Sequence, residues 1–96
     1  MKQMILEYDS QVALERSIAQ AIQREIAMLA LAIRLSKQAL TRFEQKYRLA
    51  SDLFFEKMER GELDDSADFI EWSGEYELLQ RAEQKLRGLQ GLRICS

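Results

Sequence analysis

A chain of 96 residues, 11.2 kDa in mass, suits one domain and leaves no room for a second core. Its net charge of −2 excludes a globally basic nucleic-acid binder. Histidine is absent, which removes His-based catalysis and His metal ligation, and a chain with no proline and four glycines lacks the turn residues of a strand-rich fold.

The first residues, MKQMILEYDSQV, carry Glu7 and Asp9 inside what would be the apolar core of a signal peptide. Residues 10–49 then read as one long helix. Val12, Ala19, Ile26, Ile33, Leu40 and Tyr47 recur every seven positions. Glu15, Ile22, Leu29, Ser36 and Phe43 fill the places three residues later, which is the seam of a coiled coil or long bundle helix. Asp9 or Ser10 is the expected cap. Forty helical residues extend about 60 Å, whereas a compact chain of this size has a radius of gyration near 13 Å. The helix must therefore bend, break, or pack on something outside its own chain. From Ile26 to Ile33, with Leu35 beyond, apolar residues cover every face, and 46 further residues cannot enclose all of it. Oligomerisation or a protein partner would bury the rest. The eight-residue apolar window falls far short of the roughly 20 residues of a membrane span. The single Cys95 permits no disulfide within the chain. The expectation is a cytoplasmic protein with no membrane association.

A break follows at Leu49-Ala50-Ser51-Asp52, then a short helix over 52–60 with Ser51 as its cap and Gly61 as its stop. A third helix over 67–89 starts behind Asp65 or Ser66 and places Phe69, Trp72, Tyr76, Leu79 and Leu86 on its seam, with Glu83 the polar exception. Gly88 and Gly91 predict a fraying end and a loose tail over 92–96. The fold class is thus all-α: a long helix packed on a short and a C-terminal helix, completed by oligomerisation or a partner.

Charge divides along the chain. Residues 1–50 hold eight basic and five acidic side chains, and residues 51–96 hold six and eleven. Asp68, Glu71 and Glu75 share a helix face but have the character of a solvated N-terminal stripe, which the helix dipole favours. The sequence shows no glycine-rich phosphate loop, nucleophile motif or cysteine metal spacing, so neither catalytic residues nor a cofactor, metal or small-molecule substrate is expected. Arg34, Lys37, Arg42, Lys46 and Arg48 offer nucleic-acid contact as a lesser alternative. Aromatic side chains are enriched in binding hot spots. Phe54 and Phe55 are adjacent, so a short helix cannot easily bury both. The expected partner-binding residues are Ile26, Leu29, Ile33, Leu35, Phe54, Phe55, Trp72 and Tyr76.

Phe43-Glu44-Gln45-Lys46-Tyr47, Phe54 or Phe55, Met58-Glu59-Arg60-Gly61-Glu62-Leu63 and Asp65-Ser66-Ala67-Asp68-Phe69-Ile70-Glu71-Trp72 together resemble a family of small helical antitoxins. These are proposed components of two-gene toxin–antitoxin modules of bacteria and archaea. The similarity covers roughly residues 40–86. Arg48 departs from it, standing where the pattern has glycine after the tyrosine. The resemblance implies a non-enzymatic binder that neutralises a cognate toxin encoded beside it. A self-assembling helical scaffold, or a small DNA-binding regulator using Arg34 to Arg48, are the other readings the residues leave open.

Overall fold

The computed structural model describes residues 2–95, with side chains described from Asp9 to Leu92. Three helices follow one another: α1 (Lys2–Tyr47), α2 (Ser51–Glu59) and α3 (Ala67–Cys95). α1 and α3 run antiparallel, tied by ion pairs from Lys46 to Asp68 (2.7 Å) and from Lys85 to Glu25 (3.2 Å). α2 bridges one end of this hairpin. The molecule measures 70 × 22 × 22 Å with a radius of gyration of 20.5 Å, well above the compact value near 13 Å. α1 does not break: its 46 residues account for the whole long dimension.

Several helix ends differ from expectation. Asp9 and Ser10 lie inside α1, exposed, and cap nothing. Seam periodicity wins over cap chemistry there, because an exposed Asp or Ser is tolerated within a helix at a cost of tenths of a kcal/mol. α3 likewise continues through Gly88 and Gly91 to Cys95, with no proline to stop it. Ser51 is the first residue of α2, not its cap. The cap position falls on Ala50, which has no side-chain oxygen. Instead the Ser51 N–H donates to the Glu44 carboxylate of α1 at 2.9 Å. At the start of α3, Ser66 does cap: its Oγ accepts from the Phe69 N–H at 3.2 Å.

α1 and α2 end in the same way. In each, one residue turns left-handed and the next N–H reaches back five residues, Leu49 to the Glu44 carbonyl and Glu62 to the Lys57 carbonyl. At the end of α2 the left-handed residue is Gly61 (φ 71°), which has no Cβ to clash; at the end of α1 it is Arg48 (φ 53°). A non-glycine residue in this conformation costs about 1–2 kcal/mol. Arg48→Gly is therefore expected to stabilise the chain by about 1 kcal/mol, less the entropy glycine adds to the unfolded state, and a thermal melt will read this as a higher Tm.

The core occupies the α2 end of the hairpin. Leu40, Phe54, Trp72 and Leu79 are buried, with Ile33, Phe43, Leu49, Met58, Leu63, Phe69 and Tyr76 packed around them. Trp72 is the centre. Phe54 stacks on it at 3.8 Å between ring centroids, with Phe43 (5.6 Å) and Tyr47 (5.7 Å) also stacked against the indole. Its Nε1–H donates to Ser51 Oγ at 2.9 Å. Buried indole N–H groups need such a partner. Ser51→Ala would leave it unsatisfied at a cost of about 1–3 kcal/mol, to be read as a lower urea midpoint with an unchanged slope.

Candidate protein-docking face

The expected contact residues separate in space. Phe54 and Trp72 have no exposed surface at all, so they hold the fold and offer a partner nothing. Phe55 and Tyr76 are half-buried against each other, their rings 4.8 Å apart. Both members of the Phe54-Phe55 pair thus find aromatic partners within the chain. Phe54 enters the core and Phe55 turns to α3, where the sequence suggested that one would be left outside. Ile26, Leu29 and Ile33 lie half-buried on the seam toward α3. Leu35 alone stands well out, at 54% exposure.

Leu35 belongs to a second apolar track on α1. Leu14, Ala21, Met28 and Leu35 follow at seven-residue spacing, two places after the seam residues Val12, Ala19, Ile26 and Ile33. All four are exposed, and Met28 reaches 66%. Ile18 and Leu31 flank the track, also exposed. The strongest phase of the seven-residue repeat points to the seam and, apart from Leu35, not to this track. Its signal was present in the same spacing.

Charge gives this face a sign. The α1 carboxylates from Asp9 onward, Asp9, Glu15, Glu25 and Glu44, lie in or beside the seam. On the three helical tracks that point away from α3, residues 10–43 carry Arg24, Arg34 and Arg42 and no acidic side chain. The face is therefore apolar with arginine margins, a composition that suits a protein partner bearing carboxylates.

Burial shows the same deficit. Among the described residues every buried one lies between Ser36 and Leu79, in the half that α2 closes. In the other half two helices meet alone, and their described seam residues are half-buried or, at Glu15 and Ala19, exposed. The accessible surface is 7631 Å², against about 5,700 Å² for a compact protein of this mass. Two helices can enclose a line of side chains but not a core.

The basic stretch does not form one patch. Arg34, Lys37, Arg42 and Lys46 spread over half the circumference of α1 at 100° per residue. Arg34 and Lys37 border a shallow depression with Ala30, Gln38 and Thr41, while Lys46 is occupied by Asp68.

Asp68 is the chemical tie between the hairpin arms. Its carboxylate accepts from both Lys46 Nζ and Tyr47 Oη. The Lys46 ammonium, followed by the Tyr47 hydroxyl, holds Asp68 below the usual carboxylate range, and the same contacts raise both donors. A depressed carboxylate adds stability that is present above its unfolded value, about pH 4, and lost as pH falls through its folded value. Raised donors add stability present below their unfolded values, about pH 10, and lost as pH rises through the folded ones. Asp68→Asn should flatten the acid limb of a pH series of melting temperatures.

Among the described residues no group of three or more Cys, Asp or Glu side chains is placed to hold a metal ion, and no helix is long and apolar enough to cross a membrane. Compared with known proteins, the chain matches no family model, no curated protein and no solved structure.

Proposed function

We propose that this chain is a non-enzymatic protein-binding module that acts by direct helical contact. The observation that carries the reading is the uncovered arginine-margined apolar face of α1, alongside a half of the molecule that buries no residue between its two helices. Amphipathic helices use such faces to occupy a partner's groove or to complete a partner's bundle. The resemblance over residues 40–86 supplies the biological sense: an antitoxin whose helices cover and block a toxin encoded beside it. The elements carrying that resemblance, from Phe43 to Trp72, are the ones that build the aromatic core and present α1 at a fixed angle. A DNA-binding reading finds less support, since its cationic residues point in different directions around α1.

Co-expression with the protein encoded next to this chain tests the proposal. The expected result is growth inhibition by the neighbour alone, rescue by this chain, and a mixed complex that survives size-exclusion chromatography. A harmless neighbour that leaves this chain unbound would overturn the antitoxin reading.

A further inference from the structure

The α1–α3 hairpin has two flanks, and only one is closed. α2 covers the flank of α1 marked by Glu44, which accepts the Ser51 N–H. The opposite flank is marked by the ion pairs Lys46–Asp68 and Lys85–Glu25. Helical spacing places Ile18, Met28, Ala32 and Leu35 of α1 on or beside this open flank, and Leu78, Ala82 and Leu89 of α3. Leu78 is 55% exposed. It is a two-helix layer with no third helix over it.

From this geometry we infer that a second copy of the chain covers the open flank, its two-fold axis parallel to the hairpin, making an antiparallel four-helix bundle. The inference rests on reading the exposed face of α1 as a protein-docking face, and it names the occupant of that face in the protein on its own. Charge selects both the occupant and its direction. Interpolating between the two interhelical ion pairs puts Arg42 at the level of Glu71, and Leu35 at the level of Leu78. At the α2 end of this flank α1 carries cations, Arg42 and Lys46, where α3 carries Asp68, Glu71 and Glu75. An axis parallel to the helices lays α1 of one copy over α3 of the other at the same level, so Arg42 meets the partner copy's carboxylates and Leu35 meets an apolar surface. Towards the other end, Glu25 meets lysine. A two-fold axis across the helices would set α1 on α1 and forfeit these pairs. Neither Arg42 nor Glu71 forms an ion pair within its own chain among the described residues, so both are free to do so. The layer has the length of α3, 29 residues, about 43 Å, and two helix widths. That is on the order of 800 Å² per copy, the size of a standard stable interface. Four helices in this arrangement alternate in direction and share one core, the form in which such bundles are stable.

Light scattering on the full chain, with Arg42→Glu, Glu71→Arg and the double exchange, tests the inference. The wild type should show twice the 11.2 kDa chain mass at micromolar concentrations. Each single reversal sets like charges opposite one another twice per dimer and should weaken it about tenfold or more. The double exchange restores opposite pairs across the axis and should recover the dimer. A wild type that stays monomeric, single reversals without effect, or a double exchange as weak as the singles would each overturn the dimer. Capture of the neighbouring protein by a monomeric wild type would show that the proposed function stands without it.

Discussion

Trp72→Ala is expected to unfold the α2 end of the molecule and, with it, the whole chain. The indole is fully buried, stacked on Phe54 of α2, flanked by Phe43 and Tyr47 of α1 and by Phe69 of its own helix. Truncating a buried tryptophan costs about 3–5 kcal/mol through lost transfer energy and the cavity left behind. Here the loss falls on a core of only five buried apolar side chains among the described residues, so no second layer exists to absorb it. It also removes the partner of Ser51 Oγ and so releases the start of α2. Domains of this size are stable by about 5–15 kcal/mol in total, and a chain so short of core belongs at the low end. Far-UV circular dichroism at 25 °C should show loss of helix in the variant. Trp72→Phe, which keeps a stacked ring and gives up only the N–H and part of the volume, should stay folded with a lowered Tm. A helical, cooperative melt for Trp72→Ala at the wild-type temperature would mean that the stack does not hold the hairpin.

The parts of the fold that were legible in the sequence are those governed by repetition. α1 and α3 follow from the seven-residue spacing of Val12 to Tyr47 and of Phe69 to Leu86, because burial of a stripe is a property summed over many residues. Gly61 was legible as well, since only one conformation at that point uses glycine's missing Cβ. Features resting on single contacts across the chain were not legible. Glu44 caps α2 from α1, Ser51 serves the indole, and Asp68 joins Lys46 and Tyr47, each across seven or more residues. Nothing local distinguishes these polar residues from solvated ones. Arg48 is an instructive middle case. The backbone there adopts a left-handed conformation that favours glycine, although the arginine side chain gives no hint of it. For the candidate site, the surplus of apolar residues on α1 was visible, but which of them face outward was not. That depends on where α3 lies, and the seven-residue repeat alone fits two phases, one of which faces α3.

Met28→Glu combined with Leu35→Glu is expected to abolish capture of the partner protein while leaving the fold as it is. Both side chains are more than half exposed, so replacing them removes little packing within the chain. Glutamate is a good helix former, and exposed substitutions of this kind change stability by about 0.5 kcal/mol or less. In a complex the same two positions lie at the C-terminal end of the apolar track, between Arg24 and Arg42. Binding would then bury two carboxylates against a surface selected to meet apolar groups and arginine. Hot-spot positions of this sort cost about 2 kcal/mol or more each when disrupted, and an unpaired buried charge costs at least as much. The pair should weaken the complex at least 100-fold, about 2.7 kcal/mol. Titration calorimetry with the purified neighbour reads the affinity, and a thermal melt of the free chain checks the fold. Leu40→Glu supplies the contrast. Leu40 is buried in the core, so this change should abolish binding by unfolding the chain. Near-wild-type affinity in the folded double variant would remove α1's outer face from the binding site and leave the apolar track without a role in partner capture.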